Sequence, residues 1–480
     1  MANLIHNGWN TKLIYLVSLG FVLLNALFIY LEVFWFIAVP AALIIIGLAL
    51  FRLDILLLTI TFFAPISVNI DDIGGGFGLA VPTEPLMFGA MLVFLVRTFY
   101  TLEYDSRILK HPITLAILLN LVWIMFTAIT SDLPEVSWKF FLSRMWFVVP
   151  FYFVMVQMMR YPDKVSKYFW LYIIPMGGVI IYTIVRHASR GFGDEPAHWV
   201  MQPFFKDHTS YGAILAMYIP VIAIYTVYKW DINARVLVGF FLGIFLIGVV
   251  MSYTRAAWVS LVGALGLMTL IIFKIRWWIV ASAAAMAIAG FFAFQTEIMH
   301  KLEKNRQDSS SDLAEHVESI SNVATDASNL ERLNRWNAAF SMFFENPILG
   351  KGPGTYAFLY APYQQSRDLT IISTNFGDGG NAHSEYFGPL AEQGVLGLVT
   401  FLLIIFFVYY RAIPLYYRLK NPDQKKILMA VLLGLTTYLI HGMLNNFLDL
   451  DKVNVAFWGF IAVITSFDIY AEQEIPAEKS

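Results

Sequence analysis

Three arginines and a histidine are the residues whose type and setting best suit chemistry. Arg255 stands in Ser252-Tyr253-Thr254-Arg255-Ala256-Ala257-Trp258, a very short turn between two apolar runs. An arginine near bilayer depth is costly unless an anion or carboxylate pairs with it. Its plain alternative is an interfacial anchor that snorkels beside Trp258. Arg332 and Arg335 lie one turn apart on an expected helix, where a solvated face is the competing reading. Together the three guanidiniums would suit a diphosphate, because each offers planar, bidentate donors to phosphate oxygens. His383 follows an expected turn at Asp378, Gly379 and Gly380, with Asn381 as the expected N-cap. In the first turn of a helix the positive end of the dipole keeps an imidazole neutral and able to accept a proton. A lone histidine that only hydrogen-bonds at an interface is the alternative there.

Two acidic pairs compete with this set. Asp71-Asp72 precedes Gly74-Gly75-Gly76, and Asp194-Glu195 lies in a later polar segment. Either pair would suit a divalent metal; equally, such residues cap a glycine-rich turn. Cysteine is absent, which removes disulfides, thiolate metal sites and cysteine nucleophiles.

The elements that must hold these residues are membrane spans. The chain has 480 residues, of which 58% are hydrophobic and 14% charged, with a mean hydropathy of +0.65. Typical soluble domains carry roughly 25% charged residues. Apolar runs long enough to cross a bilayer recur from Leu13 almost to the C-terminus. The fold class expected is therefore all-α, a polytopic transmembrane bundle. Disorder, a secreted disulfide scaffold, a cytosolic enzyme and a β-barrel are excluded, the last because barrel strands are about ten residues long with dyad alternation. The net charge of −2 gives no ground for a nucleic-acid partner. The runs fall near 13–31, 34–50, 54–70, 85–100, 113–130, 143–159, 168–186, 209–228, 236–251, 256–273, 277–294, 385–410, 427–446 and 453–470. The boundaries 34–50/54–70 and 236–251/256–273 are the weakest, so the expectation is about twelve to fourteen spans. Leu13–Leu31 reads as a retained span, too long for a signal sequence and without a cleavage site.

Short-loop cations alternate along the chain. Arg52, Arg97, Arg107, Lys110, Arg160, Lys164, Lys167, Lys229, Arg235, Lys274, Arg276, Arg411, Arg418, Lys420, Lys425 and Lys426 fall on one side. That side is expected to be cytoplasmic, with both termini. Two longer segments fall on the other side: about 186–208, and 295–383, the long polar region of the chain. The latter begins with the polar run Asn305–Asp312 and gains helical periodicity from about Asn329. Leu330, Leu333, Asn334, Asn337, Phe340 and Ser341 are expected on one face, with Asn346-Pro347 as the stop. Gly350, Gly352, Pro353 and Gly354 predict a tight turn before a short helix near Thr355–Tyr363. The expected organisation is an N-terminal bundle (1–200), core helices with the arginine turn (201–294), a large periplasmic loop (295–384) and C-terminal helices (385–480).

His383-Ser384, nine residues, then Gly394-Val395-Leu396-Gly397 resembles the signature of the O-antigen ligase family. Arg332-Leu333-Asn334-Arg335-Trp336 and Asn346-Pro347-Ile348-Leu349-Gly350-Lys351-Gly352-Pro353-Gly354 look like the stretch before the family's catalytic histidine. Thr254-Arg255-Ala256-Ala257-Trp258 resembles its membrane-edge arginine turn, and Asp207-His208-Thr209-Ser210-Tyr211-Gly212 the start of an earlier span. The resemblance runs in order over roughly residues 200–450.

The resemblance implies transfer of a glycan from undecaprenyl diphosphate outside the inner membrane, without metal or other cofactor. His383 would be the general base on the acceptor hydroxyl. Arg255 and Arg332 would hold the donor diphosphate; the resemblance does not fix the role of Arg335. Ser384, Asp378, Glu385 and His208 are supporting candidates, Asp378 or Glu385 as orienters of His383. A positioned base accelerates attack by a hydroxyl about 10²–10⁴-fold, and arginines offset the charge of the departing diphosphate. The acceptor is lipid A-core for a ligase and another lipid-linked glycan for a polymerase. One dominant outer loop favours the ligase. A transporter or flippase is the non-enzyme alternative, with Asn120, Arg144 and His441 as its pathway candidates.

Overall fold

The computed structural model describes residues 11–32, 36, 39–70, 78–101, 104–228, 231–276, 279, 282, 286, 327–366, 369, 373 and 380–471. Asp71, Asp72, Asp378, the run Asn305–Asp312 and most of the expected span 277–294 lie outside them. By its contacts the chain falls into two units, Met1–Leu56 and Leu57–Ser480. The first holds α1 (Thr11–Tyr30) and α2 (Val39–Phe51). Phe36 packs between Phe21 and Phe28, with ring centroids 5.5 and 4.6 Å away.

Among the described residues the rest is helical apart from one hairpin, the all-α bundle expected. α3 (Leu53–Phe63) leads into β1 (Val68–Ile70), which pairs antiparallel with β2 (Leu79–Val81) in the register Val68↔Val81. Then come α4 (Thr83–Thr101), α5 (Pro112–Ile129) and α6 (Pro134–Val148, continued by a π-helical turn at Val149–Val154 to Met158). α7 (Pro162–Ala188), α8 (His208–Thr226), α9 (Ile232–Met251) and α10 (Arg255–Ile272) follow. α11 (Ala327–Glu345) belongs to the long polar region, and α12 (Phe387–Arg418), α13 (Pro422–His441) and α14 (Asp451–Tyr470) close the bundle.

Among the described residues, eight helices are long and apolar enough to cross a membrane: α5 to α10, α12 and α14. The chain is a multi-pass membrane protein. α6 starts earlier than the expected run at 143, because Pro134 is a favourable first helical residue and Glu135 and Lys139 conceal the helix from a hydropathy reading. The weak boundary at 251–256 is a real turn, with Ser252 ending α9 and Thr254 preceding α10.

α14 marks the two ends of the second unit. At its start Asp451 accepts hydrogen bonds from Ser67 (2.6 Å) and Thr83 (2.5 Å), while the Lys452 ammonium reaches the Ser67 carbonyl at 3.1 Å. At its finish Asp468 takes Arg411 (2.6 Å), Arg418 (2.7 Å) and His111 (3.1 Å), and the Tyr470 hydroxyl donates to Asp105. Twenty helical residues span about 30 Å, so the cation-bearing connector 104–111 and the last turns of α12, with Arg411 and Arg418, gather at one end. The hairpin gathers at the other.

The element that shapes the site is a break in α12. Gly394 has φ 69° and ψ −170°, a backbone open to glycine alone, and a Cβ there would lie 2.1 Å from the Ile348 carbonyl oxygen. A break leaves backbone groups without helical partners, which in a membrane protein must be paired within the protein. The segment after α11 supplies those partners. The amides of Lys351 and Gly352 donate to the carbonyls of Ala391 (3.2 Å) and Glu392 (2.7 Å), and the Val395 amide donates to the Pro347 carbonyl (2.9 Å). Trp123 caps the Gln393 carbonyl at 2.9 Å. Pro347 to Gly352 is thereby stitched to the first turns of α12, which fixes α11 over the start of that helix.

Candidate active site

α11 turns inward a stripe that is polar in its first half and apolar in its second. Glu331, Asn334, Arg335, Ala338, Ala339 and Met342 are buried, against Tyr356, Tyr360, Ala382 and Ala391. This corrects the expected face, since Leu333 points outward. The reason is in the buried pairing. Arg335 Nε donates to Glu331 Oε1 at 2.6 Å, one turn back, and its guanidinium stacks 4.0 Å from the Tyr360 ring. Burial alone would raise the Glu331 carboxyl; hydrogen bonds from Ser373 and Arg335 outweigh it and hold the group below its usual range. Gly380 lies flat against the guanidinium, where a Cβ would come within 1.9 Å of Nη1. Arg335 thus bears on the strand of chain that leads to His383.

His383 does not lie in the first turn of a helix, a correction to the expected placement. α12 begins at Phe387, and His383 precedes it at φ 47°. The Asn381 side chain accepts the His383 amide (3.1 Å), while Ser384 Oγ accepts from Tyr386 (3.2 Å) and Phe387 (3.4 Å) and so caps α12. Trp336 Nε1 donates to the His383 carbonyl at 3.4 Å, and Trp336 and Phe340 pack on Phe387. A non-glycine residue held in the left-handed region by packing on both sides is the kind of strain found at functional sites. Burial first, then the charges of Arg332 and Arg335, lower the imidazole to about 4, against an upward pull from Glu331 and Asp207. The ring is neutral at physiological pH, by burial and arginines rather than by the expected helix dipole.

Arg332 reaches the opposite wall, donating from Nε to the Leu444 carbonyl at 3.1 Å. That carbonyl belongs to the connector between α13 and α14. Glu385 holds the same connector: its Oε1 accepts from the Tyr438 hydroxyl and from the amides of Phe447 (2.6 Å) and Leu448 (2.9 Å). Its own amide donates to the Gly442 carbonyl at 2.8 Å. Arg144, from α6, donates to the Leu448 carbonyl at 3.0 Å. Glu385 therefore points away from orienting an imidazole and toward anchoring a loop.

Arg255 opens α10, and its turn is docked on the start of α8. Thr254 donates to the His208 carbonyl at 2.9 Å, while Asp207 caps α8 by accepting from the Ser210 amide at 2.8 Å. Asp207 acts electrostatically on both His383 and His441, and His208 and Arg332 on His441. Arg332, Arg335, His383, Asp207 and His208 thus share one end of the bundle, with the Arg255 turn against it. The side chain of Glu195 is exposed on the short helix Asp194–Ala197. Asn120 bonds Thr400 at 3.0 Å within the bundle. Sequence reasoning passed over Glu331, though Glu four residues before Arg on a helix is a readable pair. It assigned Arg144 to a transport path, whereas the structure joins it to the Gly442–Leu448 connector.

This geometry coincides with a family match. Residues 240–402 match the family model described as O-antigen ligase, a stretch that contains Arg255, Arg332, Arg335, His383, Gly394 and Gly397. A protein of Haemophilus influenzae, described as uncharacterized, is 23% identical over 216 residues, covering 43% of this chain and 51% of its own. The chain thus spans about half the length of the curated relative it matches.

Proposed function

From a chain whose residues 240–402 match the O-antigen ligase family model, we propose a glycosyltransferase that works on the outer face of the bacterial inner membrane. The donor is a glycan on undecaprenyl diphosphate, the acceptor is a hydroxyl of lipid A-core, and both termini are cytoplasmic. Arg255 and Arg332 hold the diphosphate. His383 takes the proton from the acceptor hydroxyl, whose oxygen attacks the anomeric carbon. The bond from that carbon to the diphosphate oxygen breaks, the electron pair leaves with the diphosphate, and the configuration inverts. No metal or other cofactor takes part.

The observation that supports this best is the neutral His383 ring beside two cations. The charge of Arg332 bears on it, so the proposed base lies beside one of the two proposed diphosphate ligands. Arg335, buried against Glu331 and Tyr360, serves as a positioning residue for the Gly380–His383 strand rather than as a phosphate ligand.

The test uses purified protein, lipid-linked donor and lipid A-core acceptor, with EDTA present. His383→Ala should lose transfer by about 10²-fold or more while still binding donor. Near-normal turnover by that variant would remove the base assignment. Loss of wild-type turnover in EDTA would shift the chemistry to Asp71 and Asp72. Transfer to a second lipid-linked glycan instead of lipid A-core would identify a polymerase.

A further inference from the structure

The connector between α13 and α14 is held at its backbone, while several buried polar side-chain atoms at its start are left unpaired. Three charged residues from separate parts of the chain fix its carbonyls and amides: Arg332 at Leu444, Glu385 at Gly442, Phe447 and Leu448, and Arg144 at Leu448. The side chains have no such partners. Both ring nitrogens of His441, Nδ2 of Asn445 and Oδ1 of Asn446 are buried without a hydrogen bond. His441 is 1% exposed and Asn445 3%. Native proteins rarely leave buried polar atoms unpaired, so each such atom calls for a partner outside the chain, whether water, an ion or a ligand.

The position of the segment says what that partner is. His441 lies within electrostatic reach of Arg332, Asp207 and His208, and Thr254, next to Arg255, is bonded to the His208 carbonyl. The segment therefore lies against Arg332, one of the two proposed diphosphate ligands, and near the start of α8 on which the turn of the other is docked. Its free groups are an imidazole and two carboxamides, a mixture of donors and acceptors without fixed charge. A phosphate oxygen accepts hydrogen bonds and cannot satisfy an orphaned acceptor such as Asn446 Oδ1; a sugar hydroxyl both donates and accepts.

We infer that His441, Asn445 and Asn446 read the hydroxyls of the sugar attached directly to the donor diphosphate, on a wall positioned by Arg332, Glu385 and Arg144. This deepens the proposed function and rests on it. Because His441 and Asn445 are buried in the protein alone, this reading requires them to become accessible when the sugar enters. A site built for hydroxyls discriminates strongly against a ligand without them, because its own groups then stay unpaired.

The experiment compares ligand affinity and thermal stability for wild type, Asn445→Leu and His441→Phe. The probes are undecaprenyl diphosphate, the same lipid bearing N-acetylglucosamine, glucose or galactose, and undecaprenol as a neutral control. Wild type should favour at least one sugar-bearing lipid over bare undecaprenyl diphosphate. Each variant should bind that lipid about tenfold more weakly or worse, hold bare undecaprenyl diphosphate as wild type does, and melt no lower than wild type. Equal weakening toward bare and sugar-bearing lipids, unchanged affinity for both, or no wild-type preference for any sugar would each overturn the inference. So would a lowered melting temperature in both variants, since the side chains would then have partners inside the protein. If wild type binds no diphosphate better than undecaprenol, the donor assignment itself fails, and that result is distinct from the others.

Discussion

At the scale of single residues, His383 and the arginines around it make a statement about pH. A general base acts only when unprotonated, so activity falls as pH drops through its pKa. For the protein alone that value is about 4, lowered by burial and by Arg332 and Arg335. A bound diphosphate offsets the arginine charges, and an added anion at contact range raises a neighbouring pKa by about one unit or more. The acid limb of kcat, which reports the occupied enzyme, should therefore lie at higher pH than the limb of kcat/KM. Coincident limbs would mean that the diphosphate does not sit beside this histidine. The arginines carry a second prediction. Arg255→Ala and Arg332→Ala should each cut transfer by about tenfold or more, and the double variant should lose less than the product of the two if both hold one diphosphate. Arg255→Lys should stay impaired, because the charge survives while the bidentate fork does not. Normal transfer by Arg255→Ala would leave that residue as an interfacial anchor.

Among the elements, the broken α12 and its stitched partner segment carry the most weight. The Gly394-to-Gly397 spacing has a physical reading here. Gly394 supplies a backbone angle open only to glycine, and a Cβ on Gly397 would come within 2.4 Å of the Gln393 Cβ across the bend. Gly394→Ala should destabilise the protein by about 3 kcal/mol or more, through strained angles and a clash with the Ile348 carbonyl. Thermal unfolding in detergent measures it. A variant that melts with wild type would show that the break is not needed to hold α11 over His383. α11 itself was readable in extent but not in orientation. Its bounds of Ala327–Glu345 agree with the periodicity and with the Asn346-Pro347 stop, yet the buried stripe begins with polar residues, because Glu331 and Arg335 satisfy each other inside.

For the whole molecule, the alternation of cations becomes an arrangement in space. Arg411 and Arg418 converge on Asp468 at one end of α14, while Ser67 and Thr83 meet Asp451 at the other. The proposed topology, drawn from the positive-inside rule, expects Asp423 on the cytoplasmic side and Ser310 on the periplasmic side. Reporter fusions at these two positions should give opposite sides; the same side for both would end the proposed topology and put the site on the wrong face.

The amino-acid sequence alone determined that this chain crosses a membrane many times, and close to where. Lipid offers the backbone no hydrogen bonds, so each crossing must be a self-satisfied helix, and such helices announce themselves by length and hydropathy. It also determined which polar residues are candidates for chemistry, since so few occur near the spans. Tertiary structure decided how those candidates are used. Ser67 meets Asp451 across 384 positions, and Arg332 reaches Leu444 across 112. No local pattern encodes such pairings. They arise because the freed backbone of a broken helix, and charges removed from water, must each find a partner wherever the packed chain brings one. That requirement starts α12 at Phe387, turns Glu385 toward a loop, and leaves His383 neutral by burial rather than by a helix dipole.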